Sequence, residues 1–116
     1  MPVADSENVL LLTRNGLGDA EPELQLKLAT TYFKLLDENN VVPAVICFYG
    51  NGVKLVVDGS PVIAALKSLE GKGVRLIVCS TCLNYYNLTD RVQVGIVGGM
   101  PDIIEAQRQA GKVISL

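Results

Sequence analysis

The feature that most limits the fold of this chain is a regular alternation of short apolar runs with longer helical patterns. The first run, 8–13, is apolar without polar alternation, which is typical of a strand covered on both faces. Five segments are predicted strands: 8–13, 44–49, 73–78, 92–97 and 112–116. Strands that alternate with helices predict a three-layer α/β fold, with a five-stranded parallel sheet between helices. We expect one domain over residues 1–116.

Composition excludes several classes of function. The net charge of −2 and the lack of a basic patch argue against a nucleic-acid partner. No apolar run is long enough to cross a membrane, and the start of the chain does not resemble a signal peptide. We therefore expect a cytoplasmic protein without a membrane partner. The absence of histidine excludes nucleophile activation by a histidine of the same chain.

Two of the three cysteines form a Cys-x-x-Cys motif where a strand gives way to a short helical pattern. Cys79 and Cys82 directly follow the run 73–78, so they should lie at the carboxyl edge of the sheet, where ligands and reactive groups collect. We expect the Cys79 side chain at this edge and not inside the core, with Arg14 and Lys54 adding positive potential. Backbone N–H groups of Ser80 and Thr81 could favour a thiolate there, which is the reactive form of cysteine. We expect a lowered pKa, a catalytic role for both cysteines, no metal and no cofactor.

Two glycine-containing loops are expected at the same sheet edge. One follows the first strand and the other follows the second strand. Each is interpreted either as a simple turn or as an active-site loop, because loops at this edge often carry function. The candidate binding residues, including the two between the cysteines, are Arg14, Asn15, Gly16, Gly18, Asp19, Asn51, Gly52, Ser80 and Thr81.

Three further expectations concern the core. Cys47 lies in the middle of an apolar run and is predicted to be an inert core residue. In the helix over 22–39, the stripe Leu24, Leu28, Tyr32 and Leu35, widened by Ala29, Phe33 and Leu36, is predicted to face the core. The apolar segment 53–57 has no clear place in the sheet. Because exposed apolar patches often mark interfaces, it predicts a homo-oligomer.

Taken together, the motif and its surroundings resemble the DsrE/DsrF-like family, and most closely the carboxyl-terminal domain of YedF-type proteins. The resemblance rests on Cys79 to Tyr86, on the loop Gly16 to Asp19, and on Asn51 to Leu55 followed by Gly59 and Ser60. Ser80 stands where that branch typically has glycine. The resemblance implies a sulfurtransferase-like protein linked to selenium metabolism and usually oligomeric. Its partners would be sulfur donor and acceptor proteins, such as a TusA-like carrier.

Three functions remain open at this point. The first is a sulfur or selenium carrier that relays a cysteine-bound persulfide, with Cys79 as acceptor and Cys82 as its partner, or with these two roles reversed. The second is a thiol–disulfide redox protein that cycles the same pair. The third is a non-catalytic, oligomeric subunit that binds a small ligand. A metal ligated by cysteines of two subunits is a weaker fourth idea.

Overall fold

The computed structural model describes residues 5–116 and contains the predicted parallel sheet. Every strand pairs in parallel with its neighbours, in the order β4-β3-β2-β1-β5. The strands are β1 Asn8–Leu12, β2 Val45–Phe48, β3 Arg75–Cys79, β4 Ile96–Gly98 and β5 Lys112–Ser115. The first three strands are almost wholly buried, as continuous apolar runs require. The expected three-layer α/β class is confirmed.

Helices connect the strands and cover both faces of the sheet. They are α1 Pro22–Glu38, α2 Ile63–Gly71, α3 Ser80–Tyr85 and α4 Met100–Gln109. The chain adds β2, β3 and β4 in one direction and then returns to the opposite edge with β5. Right-handed crossovers therefore place α1, α2 and α3 on one face and α4 on the other. Helices α1 and α2 pack together, whereas α4 packs on β3.

The segment 53–57 was expected to form an exposed apolar patch and therefore an oligomer interface. In the structure it is buried, so it no longer supports an oligomer. A 3-10 helix, Gly50–Val56, carries it over the end of the sheet. The side chains of Val53, Leu55 and Val56 are fully buried in the core of the same chain. An apolar run without strand or helix periodicity therefore supplies core contacts here and not an exposed patch.

The buried face of α1 is rotated relative to the predicted stripe. Ala29 and Phe33, which were expected to widen the stripe, are fully buried, whereas Leu24, Leu28 and Leu35 from its centre are exposed. A T-shaped contact between the rings of Tyr32 and Phe33, with centroids 5.6 Å apart, extends this buried face. Many leucines occur on α1, so the leucine pattern alone did not identify the side that faces the sheet.

The fourth strand is shorter than the apolar run 92–97 predicted. Only Ile96–Gly98 pairs with β3. The start of the run makes a single antiparallel bridge instead, between Val92 and Val57. Gly95 then turns the chain with φ of +90°, a conformation that side chains rarely adopt. The bridge to Val57, at the end of the 3-10 segment, explains why residues 92–95 do not pair with β3.

Cys47 provides a test of the core assignment. Its side chain is fully buried in β2, and burial raises the pKa of the thiol to about 11. Replacement by alanine should lower the free energy of unfolding by about 1 kcal/mol, because a small cavity remains. Chemical denaturation measures the loss. If the chain carries sulfur, as the family resemblance implies, sulfur loading of the variant should match the unmodified protein, and loss of loading would contradict a purely structural role.

Candidate functional site

The carboxyl edge of the sheet brings three connections together. In the paired register, Leu12 at the end of β1 lies beside Phe48 at the end of β2, and Phe48 lies beside Val78 in β3. The loop after β1, the 3-10 segment after β2 and helix α3 therefore start from neighbouring points. This is the edge at which parallel sheets usually bind ligands.

The two cysteines of the motif differ in their exposure. Cys79 is the last residue of β3, and its side chain is buried, with only 2% of its surface exposed. The expectation that its side chain lies outside the core is therefore wrong. Cys82 lies in α3 and is half-buried, and both thiols are free. Of the two, Cys82 is the one that an external reactant can reach.

A backbone amide holds the sulfur of Cys82. The N–H group of Gly50 donates a hydrogen bond to Cys82 Sγ, with 3.1 Å between nitrogen and sulfur. Gly50 can present this donor because it adopts a left-handed conformation, with φ of +57°. A neutral donor aimed at a sulfur stabilises negative charge that develops there. The donor thus comes from the neighbouring loop and contacts Cys82, not Cys79.

The expected lowering of the thiol pKa is not found at Cys82. Burial raises the pKa of this thiol, the Gly50 N–H lowers it, and interaction with the neighbouring Cys79 thiol raises it further. The net direction is upward, so the amide donor offsets only part of the cost of burial. Helix α3 has only six residues, which limits what its start can contribute to a thiolate.

The loop after β1 is fastened to the first turns of α1. Leu17 N–H donates to the carbonyl oxygen of Gln25 at 3.0 Å, and Gln25 Nε2 donates back to the Gly18 carbonyl at 2.8 Å. Gly16 packs so closely on Gln25 that an added Cβ would lie 2.3 Å from its backbone carbon. The glycines therefore allow the loop to lie flat against the helix, and they position Arg14 and Asn15.

Two clefts open beside these elements and share two residues. One, of about 350 Å³, is lined by Arg14, Asn15, Pro22, Gln25, Asn51 and Lys54. The other, of about 460 Å³, is lined mainly by the residues that follow the 3-10 segment, 57–61, and by Tyr86, Leu88 and Arg91, which follow α3. Asn15 and Lys54 line both clefts. The ammonium group of Lys54 lies 4.5 Å from the ring centroid of Tyr86, which is one helical turn beyond Cys82.

The predicted site residues divide into three groups, with Asp19 apart from them. Arg14, Asn15 and Asn51 line a cleft. Gly16, Gly18 and Gly52 shape the backbone, and Gly52 contacts the end of β1. Ser80 and Thr81 form the first turn of α3, and Asp19 is exposed in the loop.

Lys54, which was expected with Arg14 to add positive potential, belongs to this region. Gly50 also belongs to it and was not among the predicted site residues. The available signal for Gly50 was a glycine close to the end of the second strand. Within residues 5–116, no group of three or more His, Cys, Asp or Glu side chains is arranged to hold a metal ion. The helices of this part of the chain also include none that is long and apolar enough to cross a membrane.

Solved structures with the same fold come from several organisms. The ychN protein from E. coli is 15% identical, with a TM-score of 0.63 over 96% of this chain and 99% of that one. MTH1491 from Methanobacterium thermoautotrophicum is 19% identical, with a TM-score of 0.67 over 94% and 97%. BT1422 from Bacteroides thetaiotaomicron is 15% identical, with a TM-score of 0.63 over both full chains. These similarities establish the fold.

Sequence comparison gives the family. The curated proteins contain no significant match to this chain. The sequence profile of the DsrE/DsrF-like family, in contrast, matches residues 8–116, which include the whole sheet, both cysteines of the motif and both loops. The chain therefore belongs to the DsrE/DsrF-like family.

Proposed function

We propose that this chain is a sulfur carrier that holds a persulfide on Cys82, with Cys79 as its buried partner. The observation that supports this best is the hydrogen bond from Gly50 N–H to Cys82 Sγ, at 3.1 Å. Membership of a family linked to sulfur relay points in the same direction. The assignment reverses the roles first expected for the two cysteines, because Cys79 is buried and Cys82 is accessible.

The chemistry requires one exchange at sulfur. The Cys82 thiolate attacks the outer sulfur of a donor persulfide, R–S–S–H, and a new S–S bond forms to Cys82. The S–S bond of the donor breaks, R–S⁻ leaves with the electron pair, and the transferred sulfur keeps its proton. Attack by Cys79 on Cys82 Sγ then releases hydrosulfide and leaves a Cys79–Cys82 disulfide, which an external thiol reduces. Direct transfer to an acceptor thiol avoids the disulfide.

The proposal extends to partners and to the branch of the family. A separate carrier protein of the TusA kind would serve as donor or acceptor, and selenium could replace sulfur as in the YedF-type branch. Thiol–disulfide exchange is the second candidate function. It is favoured by the interaction between the two free thiols, which affects the pKa of Cys82.

Intact-mass measurement after incubation with a persulfide donor tests the proposal. The reduced protein should gain the mass of one sulfur atom, whereas a redox pair would lose two hydrogens and gain nothing. Because the thiolate reacts and the pKa of Cys82 is raised, the loading rate should increase as pH rises from neutral towards alkaline values. Failure to load with any donor, or a rate independent of pH, would contradict the proposal.

A further inference from the structure

We propose that the cleft between Arg14 and Lys54 binds the negatively charged group of a small-molecule sulfur donor and thereby presents its sulfur to Cys82. The inference rests on the proposed function and adds a substrate class to it. The donor would be a low-molecular-weight persulfide that carries a carboxylate or a similar anionic group.

The first support is charge. Arg14 and Lys54 line the same cleft, and its other lining residues are uncharged, three of them amides. Within residues 5–116, neither cation forms an ion pair with a side-chain carboxylate. Arg14 Nη1 donates to the main-chain oxygen of Leu116 at 3.3 Å, and Lys54 lies over the Tyr86 ring, whereas nearby Arg91 pairs with Asp58 at 2.7 Å. Two cations without a carboxylate side chain between them in one cleft favour an anionic ligand.

The second support is the connection between the cleft and the reactive sulfur. Asn51 lines the cleft, and the residue before it, Gly50, donates to Cys82 Sγ. From the other side, Lys54 lies over the ring of Tyr86, whose N–H bonds to the Cys82 carbonyl at 3.1 Å. The Lys54 ammonium group and the Cys82 thiol are therefore positioned by two contacts between the 3-10 segment and α3 with its end, Gly50 to Cys82 and Lys54 to Tyr86.

The third support is size. Volumes of about 350 Å³ and 460 Å³ for the two adjoining clefts match the range that small ligands occupy in proteins. Both clefts have Lys54 in their walls. Cys82 lines neither cleft, so a donor bound between the cations would have to extend past Asn51 towards the Gly50 amide that contacts Cys82 Sγ. The transfer is the exchange written above, in which the donor thiolate leaves and no oxidant is consumed.

Two donors of equal length and opposite charge test the site: the persulfide of mercaptopropionate, which ends in a carboxylate, and that of cysteamine, which ends in an ammonium. The readout is the ratio of their loading rates on the reduced protein. The unmodified protein should prefer the carboxylate donor. Lys54→Met keeps the aliphatic stem and should reduce the ratio about three- to tenfold. Lys54→Arg should keep the preference for the carboxylate donor, and Lys54→Glu should change it to a preference for the ammonium donor.

Lys67→Met is the matched control, because it removes one positive charge from the exposed side of α2. It should leave the ratio unchanged, and added salt should reduce the ratio in the unmodified protein. An equal ratio in the Lys54→Met and Lys67→Met variants would overturn the anion site while leaving sulfur loading intact.

Binding of mercaptopropionate itself to the Cys82→Ser variant separates this proposal from the proposed function. Amide shifts in nuclear magnetic resonance spectra should move at Asn51 and Lys54, and the added change Lys54→Met should abolish the shifts. No shift, or shifts unaffected by Lys54→Met, would refute the anion site whatever the loading result. Shifts without loading by either donor would instead keep the site and overturn the sulfur-carrier function.

Discussion

Cys82→Ser is expected to abolish persulfide loading while preserving the fold. Serine has nearly the shape of cysteine, and its hydroxyl can accept the hydrogen bond that Gly50 N–H now donates to Cys82 Sγ. A hydroxyl is a poor nucleophile without an adjacent base, and the chain contains no histidine to act as one. Intact mass after donor treatment should therefore show no added sulfur, and thermal unfolding should remain cooperative.

Cys79→Ser gives the complementary result. Cys79 is buried, so the change places a hydroxyl in an apolar environment and should cost stability of about 1–3 kcal/mol. Loading on Cys82 should persist, but release through an internal disulfide should be lost. Cys47→Ala is the control, because it also leaves two thiols in the chain and should load sulfur as the unmodified protein does. Loading retained in Cys82→Ser and lost in Cys79→Ser would return the acceptor role to Cys79.

Among glycine-to-alanine changes near the site, Gly52→Ala should reduce the stability of the fold most. A Cβ at this position would lie 1.9 Å from the Leu12 carbonyl oxygen, at the end of β1. The carbonyl belongs to the backbone, and a Cβ has a fixed position relative to its own backbone, so neither can rotate away and the 3-10 segment must move. We expect a loss of about 3 kcal/mol or more in the free energy of unfolding. Sulfur loading should also slow, because the same movement displaces the Gly50 donor.

Gly71→Ala is the matched control for this change. Gly71 is the last residue of α2, and nothing lies within 4 Å of the position that its Cβ would take. Alanine should be neutral or slightly stabilising there, since it favours helix and restricts the unfolded chain. Denaturant unfolding of both variants measures the difference. Equal stabilities would show that the backbone around Gly52 relaxes and that the close contact has little energetic weight.

The fold class could be predicted from the sequence because three strands are continuous apolar runs separated by helical patterns. Residues 53–57 could not be placed in the same way. Their burial depends on the 3-10 helix that covers the sheet edge, and no local period of two or 3.6 residues announces it. The length of the fourth strand likewise depended on a tertiary contact, the bridge between Val57 and Val92.

The position of the two cysteines was predictable, and their exposure was not. The motif predicted that they lie at the carboxyl edge of the sheet, and Cys79 ends β3. The burial of Cys79 could not be inferred, because both faces of β3 are covered and the alternation of side chains does not distinguish an exposed side. The donor to Cys82 comes from a loop 32 residues earlier in the chain, a relation that local spacing does not encode.

The position of β5 at the edge of the sheet affects how local opening of the fold would alter the candidate site. β5 completes the sheet beside β1, and Arg14 Nη1 donates to the carbonyl oxygen of Leu116, 102 residues away, at 3.3 Å. Contacts between such distant parts of a chain form late in folding, and edge strands open first in local fluctuations. Each opening of β5 would release Arg14 and uncover the apolar edge of β1. Affinity for the proposed anionic donor and resistance to aggregation should therefore be linked through one strand.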